Sequence, residues 1–251
     1  MNRPLRISVT VITLDEAERL RSCLESAAWA DEIVVVDAES RDKTPQIARE
    51  FTERVIIRPW PGFAAQKNFA LDQATGDWVL SLDADEEVSS ELRDEIQRVL
   101  ARPCTVDAYA IPRKNIFWGR WVRHGGLYPD WQVRLVRRGR ARFVPRAVHE
   151  SVQVDGRVAR LTSPLLHRSY RDVSDFLVRA DRYSTLAAED WLRSGRRVRP
   201  IDLVLRPLGR FVGMYILRLG ALDGWRGLLL ATLYAYYVGM RSAKALEQAR
   251  R

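Results

Sequence analysis

Residues 79–89 read VLSLDADEEVS, and they place four acids, Asp83, Asp85, Glu86 and Glu87, directly after an apolar run. A solvated turn between a surfacing strand and the next helix is one explanation. The other is that Asp83 and Asp85 together hold a divalent cation, because Mg²⁺ takes oxygen ligands, usually one or two carboxylates with substrate phosphates. The remainder of the chain decides between these two explanations.

Strand-like and helix-like segments alternate through the first hundred residues. The strand-like runs, rich in Val and Ile, lie at 7–14, 32–40, 55–58 and 78–82. The second run is almost entirely apolar up to Asp37, which is typical of a parallel strand covered on both faces. The alternation predicts βαβ units and a mostly parallel sheet.

Helix starts are recognisable between these strands. Asp15 and Glu18 have the spacing of a capping box, so they predict a helix start. Thr44 precedes a proline, as an N-cap residue often does. Two more helices are predicted, over 64–74 and from Ser89 or Ser90 to about Leu100.

Acids follow three of the four predicted strands. Asp15 follows the first strand, Asp37 ends the second, and Asp83 and Asp85 follow the fourth. In open α/β sheets, ligands bind beyond the carboxyl ends of the strands. Solvated turns would scatter acids over both sheet ends, so this placement favours a ligand site.

The sequence pattern changes after residue 105. Over 106–170, short strand-like runs alternate with Gly and Pro turns, as in antiparallel additions to a sheet. Over 171–251 the pattern is helical. We therefore predict an α/β domain over 1–170, made of the parts 1–105 and 106–170, followed by a helical extension.

Charge is distributed unevenly along the 251 residues. Residues 1–100 carry 12 Lys and Arg against 20 Asp and Glu, whereas residues 113–146 carry ten basic residues and one acid. This asymmetry argues against a nucleic-acid-coating protein and suits a second half that faces anionic material. The arginines and lysine that could bind phosphates are Arg113, Lys114, Arg123, Arg134, Arg137 and Arg138.

Neither the cysteines nor the apolar runs indicate an exported protein. Cys23 and Cys104 lack metal-ligand spacing and predict reduced, structural thiols of a cytoplasmic protein. The longest apolar segment, 227–240, is too short to span a bilayer comfortably. Residues 201–240 mix Leu, Val, Tyr and Trp with arginines, so they predict either a surface lying on anionic lipid or ordinary packing.

No glycine-rich phosphate motif is present in the chain. The first strand lacks a following GxGxxG, and GxxxxGK[ST] does not occur. A metal-dependent nucleotidyltransferase is an alternative that would also use paired aspartates. That class usually has a Gly-rich loop after the first strand, and VITLDEAERL (11–20) has no glycine. A non-enzymatic basic protein would fit the pI of about 10.0 but not the acids at successive strand ends.

The chain resembles family 2 glycosyltransferases with the GT-A fold, in six segments that occur in order. These are ISVTVITLDEAERLRSCLES (7–26), EIVVVDAESRDKT (32–44), GFAAQKNFAL (62–71), GDWVLSLDADEEVS (76–89), GLYPDWQVRLVRRGRARFVPRAVHESV (126–152) and LLHRSYRD (165–172). The fourth contains the Asp-x-Asp motif of that fold. The resemblance is strongest to bacterial lipopolysaccharide core glycosyltransferases that add β-glucose to inner-core heptose.

The resemblance implies a fold, a cofactor and partners. The fold is α/β, a Rossmann-like nucleotide-diphospho-sugar transferase with a mixed, mostly parallel sheet and a C-terminal helical extension. The cofactor is Mg²⁺ or Mn²⁺, and the donor is a UDP-sugar, with UDP-glucose as first choice. The acceptor is a lipopolysaccharide core or another lipid-linked glycan, and the protein would lie peripherally on the inner face of the cytoplasmic membrane.

The resemblance also implies residue roles. Asp37 would accept the N3–H of uracil, Asp83 would contact the ribose or metal, and Asp85 would bind the metal that bridges the diphosphate. Thr13 and Asp15 would contact the nucleotide-sugar. Three further candidates each have a second interpretation. Lys67 and Asn68 could contact the nucleotide or be solvated residues on a helix surface, and His167 could be a metal ligand or a structural residue.

An inverting transfer also needs a base for the acceptor hydroxyl. Asp130 is the first candidate, because it stands alone among ten cations that should keep it ionised. Glu150, beside His149, is the rival, and either acid could instead be a plain salt-bridge residue. Two positions depart from the family pattern: Asp15 where asparagine is commoner, and Glu39 where a small residue or glycine is usual.

Overall fold

The computed structural model describes residues 5–103, 105–145 and 151–250. The chain divides into two compact units. The first comprises the described residues of Met1–Arg113, Asp130–Arg146 and Glu150–His167, and the second those of Lys114–Pro129, Ala147–His149 and Arg168–Arg251. The domain boundary predicted at residue 170 stays a prediction.

Four parallel strands form one side of the main sheet. They are β1 (Ile7–Thr13), β2 (Glu32–Asp37), β3 (Val55–Ile57) and β4 (Trp78–Asp83), in the spatial order β3-β2-β1-β4. Every residue of β1 is buried, as expected of a strand with neighbours on both sides and helices over both faces. The predicted parallel half of the sheet is therefore confirmed.

Further strands follow β4 along the chain, and most of their pairings are antiparallel, although β11 pairs parallel with β6. They are β5 (Glu86–Val88), β6 (Ala108–Phe117), β7 (Arg120–Trp121), β8 (Asp130–Arg137), β9 (Ala141–Val144), β10 (Ser151–Val154), β11 (Val158–Arg160) and β12 (Leu165–Arg168). The order continues from β4 through β8, β6 and β12 to β5, while β9 and β10 form a separate hairpin. The predicted mixed sheet is confirmed, and the half that carries the acids is the parallel one.

Four helices connect and cover these strands, as predicted. They are α1 (Ala17–Ala27), α2 (Thr44–Arg49), α3 (Phe63–Gln73) and α4 (Ser90–Leu100). The side of α1 that faces the core includes the buried residues Leu20, Cys23, Leu24 and Ala27. Cys104 lies outside the described residues.

The helix caps agree with the sequence at only one of three places. Ser89 caps α4, because its hydroxyl accepts a hydrogen bond from Leu92 N–H at 3.2 Å. The capping box at Asp15 and Glu18 is wrong: Glu16 precedes α1, and no side chain caps it. Thr44 is the first residue of α2 rather than its cap, and its hydroxyl accepts from Glu16 N–H at 2.9 Å.

The second unit is mainly helical. It contains α5 (Val173–Arg193), α6 (Asp202–Val212), a π-helical turn (Gly213–Leu217), a 3₁₀ turn (Gly220–Asp223) and α7 (Gly224–Gln248). Clusters around Leu230, Leu233 and Ala245 of α7 form its apolar interior. Within the three described segments, no helix combines the length and hydrophobicity needed to cross a membrane.

Candidate active site

The strand-end acids of the first unit meet at one edge of the sheet. Strand β1 is paired with β2 on one side and with β4 on the other. The register sets Thr13 opposite Asp37 and Ile12 opposite Asp83. Asp85 follows two residues later, in the turn before β5. The topology thus brings the predicted acids to the carboxyl edge, where ligands bind in open α/β sheets.

Asp83 is bound by two buried cations. Lys67 Nζ lies 2.8 Å from Oδ1, and Arg134 Nη2 lies 2.5 Å from Oδ2. Burial alone would raise the pKa of Asp83, but the charges of Arg134 and Lys67 hold that pKa well below its usual range. Lys67 is only 2% exposed, so the solvated-helix alternative for it is wrong. Both oxygens of Asp83 are therefore occupied by protein groups.

Glu86 completes this network. No role beyond membership of an acidic segment was predicted for it from the sequence. Its side chain is fully buried, and its Oε1 lies 2.6 Å from Arg134 Nη2 and 3.4 Å from Arg113 Nη1. Its Oε2 accepts a hydrogen bond from Asp83 N–H at 3.0 Å. The solvated-turn explanation of 79–89 is thus wrong for Glu86. The available signal was Arg134, a charged residue inside the apolar run WQVRLV, since such a residue needs a buried partner.

Asp85 has a different environment from Asp83. Its Oδ2 lies 3.4 Å from His167 Nε2 and 3.5 Å from Arg19 Nη1. Burial would raise the pKa of Asp85, but His167 and Arg19 outweigh burial, and the pKa lies below its usual value. The structure therefore brings Asp85 and His167 together, as the shared metal-ligand hypothesis for them requires.

A divalent cation fits the donor set at Asp85, although the protein does not supply a complete cage. Among the described residues, no group of three or more His, Cys, Asp or Glu could hold a metal ion. Mg²⁺ is commonly held by one or two carboxylates together with substrate phosphates. Asp85, with His167 beside it, fits such a site. Each oxygen of Asp83 already contacts one protein cation, and its predicted contact with the ribose or metal stays a prediction.

Asp37 organises the loop that follows β2. The side chain is fully buried, and its two oxygens accept hydrogen bonds from Ser40 N–H at 2.9 Å and from Ser40 Oγ–H at 2.5 Å. Thr13 is buried beside it in the register, and its hydroxyl has no hydrogen-bond partner among the described residues. The predicted nucleotide contacts of Asp37 and Thr13 stay predictions.

The two departures from the family pattern both have left-handed backbones. Asp15 has φ 53° and Glu39 has φ 61°. Glycine and asparagine adopt this region more readily than other residues, which explains why a small residue or asparagine would suit these positions. Asp15 is nevertheless built into the loop, since its Oδ1 accepts from Arg41 N–H and its N–H donates to Ser40 Oγ, both at 2.8 Å.

Asp130, the first candidate base, opens β8. Its Oδ2 accepts from Arg113 Nε at 2.9 Å and from Nη2 at 2.6 Å, and its Oδ1 accepts from Gln132 at 2.8 Å. Burial would raise the pKa of Asp130, but Arg113 and Gln132 lower it, so the side chain is ionised at neutral pH. Glu150, the rival base, lies outside the described residues, as does His149.

Several basic residues and Asn68 bind other groups of the protein, although one of them, Arg138, is exposed. Arg113 and Arg134 are committed to the acid network described above. Asn68 exchanges two hydrogen bonds of 2.8 Å with the backbone of Phe143. Arg138 donates to the Gly76 carbonyl at 2.9 Å. The contacts of Arg113, Arg134 and Asn68 therefore give no support to their predicted roles, phosphate binding for the two arginines and nucleotide binding for Asn68.

Sequence comparison identifies a family and full-length relatives. The model of glycosyl transferase family 2 matches residues 8–154. The chain is 30% identical to lipopolysaccharide core biosynthesis glycosyltransferase LpsC of Rhizobium meliloti (strain 1021), with 97% of this chain and 93% of that protein covered. It is also 30% identical to an uncharacterized glycosyltransferase of Rickettsia felis, with 96% and 90% covered.

Structure comparison agrees with the predicted fold. The mannosyltransferase PcManGT from Pyrobaculum calidifontis, in complex with GDP-Man and Mn²⁺, is similar with a TM-score of 0.54 at 19% identity, covering 98% of this chain and 88% of that one. S. aureus TarS 1-349 in complex with UDP-GlcNAc gives 0.53 at 18% identity, covering 98% and 92%. These likenesses confirm the GT-A fold, which is all that such identities show.

Proposed function

Because the chain belongs to glycosyl transferase family 2, we propose that it is an inverting, metal-dependent transferase of a hexose from a UDP-sugar. The first-choice donor is UDP-glucose. The proposed acceptor is a lipopolysaccharide core or another lipid-linked glycan, which is supported by the relationship to LpsC along almost the whole chain.

The observation that carries this proposal is that the two aspartates of the Asp-x-Asp motif have different contacts. Asp83 is locked between Lys67 and Arg134, whereas the contacts of Asp85 are longer, at 3.4 and 3.5 Å, and both fall on Oδ2. Asp85 thus keeps an oxygen to offer at the carboxyl edge of the sheet. We assign it as the protein's metal ligand, with His167 as a second ligand or as the group that orients Asp85.

Each residue has a defined task in the proposed transfer. Asp37, Thr13 and Asp15, at the carboxyl ends of β2 and β1, bind the nucleotide-sugar. Asp85 would hold the metal ion, which would supply positive charge to the leaving diphosphate. Asp130 or Glu150 takes the proton of the acceptor hydroxyl as that oxygen attacks the anomeric carbon from the face opposite the diphosphate. Asp83 holds Lys67 and Arg134 in place through its two ion pairs.

Membrane attachment is the second part of the proposal, and it is supported by the exposed apolar surface of the second unit. Helix α6 buries none of its residues, and Val204, Leu205 and Leu208 are more than half exposed. Leu217 and Leu222 in the following turns are 75% and 67% exposed. Arginines at 206, 210 and 226 accompany them, which suits the surface of an anionic membrane.

The donor is tested by nucleotide release. Purified wild-type protein is incubated with Mg²⁺ or Mn²⁺ and with each of UDP-glucose, UDP-galactose, UDP-GlcNAc and GDP-mannose, and the released UDP or GDP is measured. Slow hydrolysis of the donor needs no acceptor. We expect UDP release, fastest with UDP-glucose and abolished by EDTA. Turnover of GDP-mannose alone would contradict the donor, and turnover that EDTA does not affect would contradict the metal.

A further inference from the structure

The second unit contains a concave pocket of its own. Its volume is about 590 Å³, and it is lined by Arg123, His124, Gly126, Tyr128, Pro129 and Arg218. The pocket residues come from the segment between β7 and β8 and from the end of the π-helical turn. Two of the six lining side chains are arginines, and none is an acid.

The arginines are held in place by the pocket's own architecture. Arg218 lies across Gly126, where a Cβ atom would come within 2.5 Å of Nη1, so a larger residue there would shift this guanidinium. The Arg218 carbonyl accepts a hydrogen bond of 2.8 Å from Gly125 N–H. Arg123 lies 5.6 Å from the ring of Trp121, and that ring packs edge-on against Tyr128 at 5.2 Å. Lys114 Nζ, 4.6 Å from the same ring, adds a third cation.

The nearby acid does not neutralise these cations. Asp223 accepts hydrogen bonds from the backbone N–H groups of Arg123 and His124, at 3.3 and 2.8 Å, and lies 3.1 Å from His124 Nδ1. Its side chain is only 10% exposed. Asp223 therefore anchors the loop that carries Arg123, while the guanidinium groups of Arg123 and Arg218 stay exposed in the pocket.

We propose that this pocket binds a phosphate monoester carried by a saccharide. Guanidinium groups recognise phosphate through paired, charge-assisted hydrogen bonds, and two arginines with a nearby lysine supply more positive charge than a neutral sugar needs. The tyrosine hydroxyl and the imidazole add donors for the remaining oxygens. Naming the saccharide as part of the acceptor rests on the proposed function, whereas the phosphate site itself does not.

Titration calorimetry tests the site with defined probes. Mannose 6-phosphate, mannose, inorganic phosphate and UDP are each titrated into wild-type protein, Arg123→Gln, Arg218→Gln and Arg193→Gln. Arg193 is the matched control, because it is an exposed arginine of the same unit that pairs only with Glu189 in the described contacts. Arg123→Gln serves as the second pocket variant, since it leaves the contact of Arg218 with Gly126 intact.

We expect mannose 6-phosphate to bind and mannose not to bind. Each pocket variant should weaken the sugar phosphate about tenfold or more, because a charge-assisted hydrogen-bond pair is lost, while Arg193→Gln should not change it. Absence of binding to wild type, or equal weakening by Arg193→Gln, would overturn the site. Inorganic phosphate that binds as tightly as mannose 6-phosphate would overturn the saccharide part.

Two further measurements separate alternative explanations. In the first, vesicles of phosphatidylcholine with and without 20% phosphatidic acid compete with mannose 6-phosphate for the protein. Displacement of mannose 6-phosphate by the acidic vesicles alone would assign the pocket to a lipid phosphate and contradict the proposal. Acceptor-free release of UDP from UDP-glucose is measured on the same variants and should be unchanged. If wild type binds the sugar phosphate but releases no UDP from any donor, the proposed function fails and the phosphate site stands.

Discussion

Two aspartates that are one residue apart, Asp83 and Asp85, have different chemical environments. Asp83 contacts two side chains that are 2% and 5% exposed, so removal of its charge takes an ionised partner from two buried cations. Within the described part of the chain, the ion pairs of Asp85, to Arg19 and His167, are longer. At the residue scale, the motif therefore combines an acid that supports the structure with an acid that is available to a ligand.

This difference predicts separate effects on stability. Asp83→Asn should lower the free energy of unfolding by about 3 kcal/mol, because Lys67 and Arg134 both lose an ionised partner in a buried network, although Arg134 keeps Glu86. Asp85→Asn should lower it less, since its ion pairs, at 3.4 and 3.5 Å, are longer. Urea unfolding at pH 7 measures both, and equal losses would contradict the assignment of distinct roles.

The left-handed residue Glu39 yields a second prediction at this scale. An L-residue in the left-handed region is strained by roughly 1–2 kcal/mol, and glycine is not. We expect Glu39→Gly to raise the free energy of unfolding by up to about 1 kcal/mol, part of the gain being offset by the entropy of glycine in the unfolded chain. Glu39→Ala is the control that removes the side chain but keeps the strain. Stabilisation by alanine as large as by glycine would show that the exposed side chain, not the backbone, is responsible.

The choice of catalytic base is a third residue-scale prediction. With Asp130 as base, Asp130→Asn should reduce sugar transfer about 10²–10⁴-fold while the affinity for the UDP-sugar is kept. Glu150→Gln should then reduce transfer far less. The measurement is transfer to acceptor, alongside donor affinity by calorimetry. The reverse ranking of the two variants would assign the base to Glu150.

At the scale of elements, the sequence specified the parallel half of the sheet better than the antiparallel half. A continuous apolar run such as β2 indicates a buried strand whichever strands it pairs with. Strands β1 to β4 and their helices could therefore be predicted. Strand β5 could not, because its first residue, Glu86, is buried only through Arg134 and Arg113, which are distant in the chain. The capping box also failed, because Asp15 bonds to the loop after β2 instead of to its own helix.

The same limit applies to the candidate site. Strand-end acids could be placed at one edge of the sheet from strand order alone. The sequence did not indicate that Asp83 would be locked between Lys67 and Arg134, because ion-pair partners in a sheet are set by register between distant strands. The basic run 113–146 illustrates the consequence, since its charges divide between an internal network at Arg113 and Arg134 and an exposed position at Arg123.

Helix α6 carries the element-scale prediction. Leu208→Glu should weaken binding to vesicles of phosphatidylcholine with 30% phosphatidylglycerol at least about fivefold, because it places a charge on the exposed apolar face. Its folding should be unaffected, since α6 buries no side chain. Co-sedimentation measures the binding, and Val178→Glu, at a 72% exposed position on α5, is the matched control. Wild-type protein that stays in the supernatant would contradict membrane attachment.

At the scale of the whole molecule, lowered carboxyl pKa values determine the response to acid. Burial by itself would raise the pKa of these groups, but hydrogen bonds and nearby cations lower it below the unfolded values of about 3.9 for Asp and 4.3 for Glu. Buried or partly buried members of this set are Glu32, Asp83, Asp85, Glu95 and Asp130, and Asp42 is an exposed member whose pKa is lowered by hydrogen bonds.

The sign of the pH dependence follows from these shifts. Because the folded pKa lies below the unfolded one, these carboxylates stabilise the protein above about pH 4 to 5, and that stabilisation is lost as the pH falls further. We expect their contribution to the free energy of unfolding to be the same at pH 7 and pH 6 and to decrease below pH 4. Urea titrations across this range measure it, and Asp83→Asn should show a shallower decrease. A protein that gains stability below pH 4 would contradict the ionised network.

The central claim is that Asp85 holds a metal ion for transfer from a UDP-sugar. Its most direct test is the metal-dependent release of UDP from UDP-glucose by wild type, Asp85→Asn and the exposed control Asp72→Asn, each with and without EDTA. The account predicts that release by wild type and Asp72→Asn depends on the metal, and that release by folded Asp85→Asn falls at least about 10²-fold. Unchanged, EDTA-sensitive release by Asp85→Asn would contradict it.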